Sequence, residues 1–247
     1  MVAYYGTAGT DALGVLGEGT PAEAAAKLER AAKPFEAASG RTVLPAFELI
    51  TTVAQRAPGK DGDYSEPLSD EDVQKYLDQA RKSKLLLILD LQPGRASFLS
   101  QAKRYERFLK EPDVGLALDP EWVLKPGQRP GKQIGSTDAS TVNEVSQWLS
   151  DLTVKNQLPE KIFLLHQFRV SMIKQRSEVV KRPGLATVIH VDGFGNKGLK
   201  LQTYDILASK KGEYVNAFKL FYDEDKPLMS PKEALALKPA PQLVSYQ

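Results

Sequence analysis

Acidic residues close several of the apolar, β-branched runs in this chain, and their spacing is what first suggests chemistry. Glu48 lies in the run 45–50 (Pro-Ala-Phe-Glu-Leu-Ile), and Asp90 and Gln92 end the run 85–92. Asp119 and Glu121 end 115–121, and His190 and Asp192 end 186–192. His166 and Gln167 close another run, and Lys219, Tyr222 and Asp223 a further one. Side chains alternate along an extended chain, so Asp90 with Gln92, Asp119 with Glu121, and His190 with Asp192 are same-face pairs. Crowded carboxyls push each other's pKa values apart, leaving one protonated and one ionised. Glycosidic cleavage needs such a split: a carboxylic acid to assist the leaving oxygen, and a carboxylate to act as nucleophile or base. One strand-end acid usually caps a helix or pairs with a Lys or Arg. Acids at the ends of four strands are harder to explain that way, because buried like charges are costly unless they are used.

The catalytic candidates are therefore Glu121, Asp119, Asp90 and Asp192. Glu121 is the expected general acid, with Asp119 or Asp192 as its ionised partner. Pro120 fixes its own φ and removes a backbone donor, so the strand should stop there and lift Glu121 to the rim. Trp122 beside it would disfavour the charged carboxyl. The candidates for holding substrate are Tyr5, Glu48, Gln92, Trp122, Gln167, His190, Lys219 and Tyr222. Tyr4, Tyr64, Phe168 and Phe194 are further rim aromatics able to stack on sugar rings. Lys219 is expected to face inward and to pair with a barrel acid.

Composition narrows the alternatives. The 247 residues carry 33 Lys and Arg against 31 Asp and Glu, a net charge of +2, without the basic excess of a nucleic-acid binder. With no cysteine, disulfides, thiolate metal sites and cysteine nucleophiles are excluded. His166 and His190 are the only histidines, which rules out a multi-histidine metal centre at this level, and no metal or cofactor is assigned. No apolar run approaches the roughly 20 residues of a membrane span. The opening residues lack the pattern of a signal peptide.

These residues need a scaffold, and the chain supplies strands alternating with helices. Strands are expected at 2–6, 42–50, 85–92, 115–121, 162–168, 186–192, 215–222 and 242–246. Helix starts are marked by Thr20-Pro21-Ala22-Glu23, with Gly40 as the stop, and by Ser69-x-x-Asp72, Thr141-x-x-Glu144 and Ser230-Pro231-x-Glu233. Alternation at about 30 residues per unit fits a (β/α)₈ TIM barrel of parallel strands, one domain over 1–247. A doubly wound sheet is the rival, but no glycine-rich nucleotide fingerprint opens a helix. The loops 55–68 and 120–137 follow strand C-terminal ends and are expected to wall a cleft.

The segment 118–122 (Leu-Asp-Pro-Glu-Trp) resembles the fourth-strand end of chitinase-type glycoside hydrolase barrels. Asp119 and Glu121 match the last two acids of their DxxDxDxE signature, while Ala117 and Val114 stand where the earlier acids would be. Along nearly its whole length the chain resembles a group of uncharacterised exported actinobacterial proteins. The likeness is carried by 4–6 (Tyr-Tyr-Gly), 45–50, 89–95 (Leu-Asp-Leu-Gln-Pro-Gly-Arg), 118–122, 166–168 (His-Gln-Phe), 191–195 (Val-Asp-Gly-Phe-Gly) and 219–222 (Lys-Leu-Phe-Tyr). That resemblance implies a glycoside-hydrolase-like barrel and an extracellular or cell-surface location, often as a lipoprotein.

The expected activity is hydrolysis of a polysaccharide or cell-wall glycan by two carboxylates. One alternative is a metal-dependent barrel enzyme in which Glu48, Asp90, Asp119, Glu121, His190 and Asp192 hold Mg²⁺ or Mn²⁺. The other is a glycan-binding barrel without catalysis.

Overall fold

Eight strands carry the inward and outward alternation the sequence implies, and in the computed structural model, which describes Met1–Gln247, they close on themselves. In chain order they are β1 (Val2–Gly6), β2 (Pro45–Ala54), β3 (Leu86–Leu91), β4 (Val114–Leu118), β5 (Lys161–Gln167), β6 (Leu185–Val191), β7 (Val215–Leu220) and β8 (Leu243–Tyr246). Each pairs in parallel with its sequence neighbours, and β8 pairs with β1 to complete the ring. This is a (β/α)₈ TIM barrel forming a single domain. Closure leaves the barrel strands no unpaired edge.

The helices form where their start signals stand. Helix α1 (Pro21–Ser39) begins at Thr20 with a complete capping box to Glu23 and ends at Gly40, whose φ of 66° is the left-handed stop glycine favours. Ser69 caps α2 (Asp70–Lys82), Ser97 caps α3 (Phe98–Arg104), Asn196 caps α5 (Lys197–Leu207), and Ser230 caps α6 (Pro231–Leu235). Helix α4 (Ala139–Lys155) begins at Asp138, ahead of the expected Thr141 start. The short strand Thr137–Asp138 delivers the chain in an extended conformation, so the helix begins as soon as that strand ends.

The two faces of the strands pack differently. Outward-facing residues such as Phe47, Leu89, Leu118, Phe163 and Phe218 join Leu28, Leu77, Leu149 and Tyr204 of the helices in one core of 49 buried residues. Inward-facing Ala3, Ala46, Ile88, Ala117, Leu164, Val188, Ala217 and Leu243 form a separate plug, one residue from each strand. Half of that plug is alanine, which is what a narrow barrel axis accommodates.

Two strand ends that bear on Glu48 and Glu121 differ from expectation. Strand β2 runs on to Ala54, pairing there with the short antiparallel strand Ser65–Pro67, so Glu48 lies mid-strand and not at an end. Strand β4 stops at Leu118, and Pro120–Trp122 turns as a single 3₁₀ turn.

Candidate active site

The site follows from counting two residues up each strand from the apolar plug. The next inward positions are Tyr5, Glu48, Asp90, Asp119, His166, His190, Lys219 and Ser245, a polar side chain from every strand. All eight are buried. Two residues further on stand Ile50, Gln92, Glu121, Phe168, Asp192, Phe221 and Gln247, which line a pocket of about 460 Å³ at the C-terminal mouth of the barrel. An apolar plug, a polar ring and a mixed mouth thus succeed one another along the barrel axis. In this fold the C-terminal face is where active sites are built.

Within the ring, the contacts form one network. Tyr5 donates through its hydroxyl to Asp90 Oδ2 at 3.1 Å and accepts from Gln92 Nε2 at 3.2 Å. His166 Nδ1 meets Asp192 Oδ2 at 2.8 Å, and His190 Nε2 meets Ser245 Oγ at 2.8 Å. The other ring nitrogens of both histidines face Glu48: His166 Nε2 lies 2.9 Å from Oε1 and His190 Nδ1 lies 3.5 Å from it. Neither approach has hydrogen-bond geometry, and both Glu48 oxygens are buried without a hydrogen-bond partner. The Lys219 ammonium sits 3.3 Å from the centroid of the Tyr5 ring. It makes a cation–π contact where an ion pair was expected, and no carboxylate oxygen comes within 4 Å of it.

Electrostatics divides the carboxyls. Burial pushes Glu121 up to about 7, with the neighbouring Asp192 adding to the rise against the opposing charges of Lys219, His166 and Arg169. Asp119 is pushed well above the carboxylate range by burial, relieved in part by His166 and reinforced by Asp90, Glu121 and Asp192. Burial raises Asp90 to about 6, with His166 and Lys219 opposing and Glu48 adding. Asp192 goes the other way: burial would raise it, but the His166 hydrogen bond and charge outweigh that and hold it below its usual value. Glu48 is likewise held low, the two histidines overcoming a large burial effect. Asp119 was one of two candidates for the ionised partner of Glu121. Burial, reinforced by three neighbouring acids, favours its protonated form, whereas Asp192 is held in the opposite direction.

Of the predicted site residues, Asp119, Glu121 and Asp192 line the pocket together with Tyr5, Gln92, Trp122 and Lys219. Asp90, Glu48 and His190 lie in the ring beneath. Two residues do not reach the site. Gln167, adjacent to inward-facing His166, points away from the pocket, donating to the carbonyls of Arg169 and Val170 and accepting from Arg176. Tyr222 lies beyond the end of β7 and stacks on Tyr246 with centroids 4.9 Å apart, leaving the pocket wall to Phe221. Of the other rim aromatics, Phe168 and Phe194 line the pocket. Tyr4 faces the outer core, and Tyr64 lies under Arg95.

The 120–137 loop contributes Glu121 and Trp122 to the pocket, but no residue of the 55–68 loop reaches it. The opposite wall is built instead by the 193–203 segment through Gly193, Phe194, Leu199 and Thr203. The six residues weighed as an oxygen-rich Mg²⁺ or Mn²⁺ set do not converge as a group. Only Glu48 and His190 come within ligating span of a third donor, and that donor is His166. His166, Ser245 and Phe221 are the residues sequence reasoning missed. Each stands two or four positions beyond a small or aliphatic residue of the plug, and that count is the signal that identifies them.

Neither a known protein-family model nor a curated protein matches this sequence. Among solved structures, the chain is similar to a hyperthermophilic endo-β-1,4-glucanase determined in complex with substrate. The TM-score is 0.40 and the identity 8%, over 87% of this chain and 81% of that one.

Proposed function

We propose that this barrel hydrolyses a glycosidic bond in a polysaccharide or cell-wall glycan, with Glu121 as general acid and Asp192 as the ionised partner. One observation carries the reading. A carboxyl held near neutrality by burial shares a pocket with a second carboxyl that is bound through its other oxygen to a histidine. That division of protonation is what an acid and its ionised partner require. Asp192 Oδ2 is occupied by His166, while Oδ1 is buried without a hydrogen-bond partner.

Trp122, Phe168 and Phe194 give the mouth aromatic surfaces beside these acids, and Phe194 is 67% exposed, as a stacking platform must be. Gln92 and Lys219 supply a donor amide and a cation for hydroxyl groups. Lys219 forms no covalent intermediate in this reading: its ammonium is held over the Tyr5 ring and offsets the surrounding carboxylates. The chitinase-type resemblance and an extracellular or cell-surface location belong to the same proposal, and fractionation of the producing cells tests the location.

The test is a panel of soluble glycans and cell-wall fractions assayed for new reducing ends. Glu121→Gln keeps the size and hydrogen bonding of the side chain but cannot supply a proton, so turnover of any cleaved glycan should fall by about 10² or more while the fold is retained. Unchanged turnover in that variant removes Glu121 from the acid role. Binding to glycans without cleavage by the wild type would instead favour a non-catalytic glycan-binding barrel.

A further inference from the structure

The polar ring contains a convergence that the two-carboxylate reading does not use. Glu48 on β2 faces His166 on β5 and His190 on β6 across the barrel interior, and all three side chains are 0% exposed. His166 and His190 are register partners on adjacent strands, so their rings lie side by side with centroids 4.6 Å apart. Each ring has one nitrogen engaged, His166 Nδ1 by Asp192 and His190 Nε2 by Ser245. The remaining nitrogens, His166 Nε2 and His190 Nδ1, and both oxygens of Glu48 have no hydrogen-bond partner. Buried polar atoms are nearly always partnered, and four orphans in one place call for an explanation. They are close neighbours without hydrogen bonding: the nitrogens approach Glu48 Oε1 to 2.9 and 3.5 Å.

From this arrangement we infer that Glu48, His166 and His190 form a two-histidine, one-carboxylate site for a single divalent first-row transition ion, with zinc the best fit. The three donor atoms lie within 4.8 Å of one another, so small shifts bring them to the roughly 2.0–2.2 Å bond lengths of zinc. Two imidazoles and one carboxylate suit zinc and its neighbours, whereas Mg²⁺ and Ca²⁺ prefer all-oxygen sets. The outer contacts match as well. Metal-bound histidines characteristically have the other ring nitrogen held by a carboxylate or other polar partner, and here Asp192 and Ser245 are those partners. Asp90 Oδ1, also unpartnered and 3.9 Å from His166 Nε2, borders the site without belonging to the converging set. The ion would tie β2 to β5 and β6 across the barrel. This inference does not depend on the glycan reading.

Its test uses no glycan. Protein purified without chelator is analysed for metal content, and chelator-stripped protein is titrated with zinc and, separately, with magnesium. We expect about one equivalent of a transition ion. With zinc about a hundredfold above its Kd, Tm should rise by about 5–10 °C, and magnesium should not reproduce this. The sequence has two histidines and no cysteine, so both histidine ring ¹⁵N signals should move on adding zinc, with no other imidazole or thiol to compete.

Ser245→Ala removes only an outer contact and should weaken zinc binding about 10–100-fold. Glu48→Gln should abolish the Tm response, and if that variant fails to fold, Ser245→Ala and the wild-type titration decide. Absence of both retained metal and any Tm response overturns the inference. So does a zinc response that is undiminished in Ser245→Ala and Glu48→Gln.

Discussion

In the proposed hydrolysis Glu121 is the general acid, and its surroundings fix the direction of a pH effect. The groups facing it are Asp119 and Asp192, which oppose its ionisation, and Lys219, His166 and Arg169, which favour it. With its pKa pushed up to about 7, Glu121 is protonated below neutrality and loses its proton as pH rises through that value. Hydrolysis should therefore fall on the alkaline side with a midpoint near 7, read from kcat/KM against pH. Lys219→Met removes a cation that favours the ionised form, so the neutral form persists further and the alkaline limb should move to higher pH. A limb that stays in place would show that another group controls it.

At the scale of elements, β4 is the most constrained strand, because it must place Asp119 in the ring and then stop. Pro120 cannot continue the ladder, and Asp119 Oδ1 accepts from the Glu121 backbone N–H at 3.1 Å, turning Glu121 out of the strand direction to the mouth. Below, Gly115 allows β5 to approach: a Cβ there would stand 2.9 Å from the Ile162 carbonyl oxygen and 3.1 Å from the Ile162 Cβ. Gly115→Ala should force β4 and β5 apart and cost about 1–3 kcal/mol in chemical denaturation. The same change at Gly127, where nothing lies within 4 Å, would act only through its positive φ of 82°.

For the whole molecule, stability depends on closure. Strand β8 is hydrogen-bonded to β1 on one side and β7 on the other, and Leu243 and Ser245 supply its share of the plug and the ring. Removing 242–247 exposes two strand edges and uncovers the plug at the same time. That truncation should abolish the single cooperative thermal transition of the intact chain, as followed by circular dichroism, instead of merely lowering its midpoint.

The alternation of strands and helices, the parallel barrel and most of the polar ring were legible in the sequence, for a physical reason. Strand periodicity is local, and so is the rule that side chains two apart share a face. Once Asp90, Asp119, His190 and Lys219 were assigned to strands, their faces followed. Proline and capping residues are local signals too, which is why the turn at Pro120 and the start of α1 stand where they were expected. What remained hidden depended on register between distant strands and on where each strand ends. Gln167 and Tyr222 were placed in the site because they are polar residues at the ends of their runs, but alternation turned Gln167 outward and β7 ended before Tyr222. The rise of the Asp119 pKa comes first from burial in the closed barrel and then from neighbouring acids such as Asp90 and Asp192, and the convergence at the ring joins Glu48 to two histidines more than a hundred positions away. Neither can be read before the barrel closes, because both depend on distances that only tertiary packing creates.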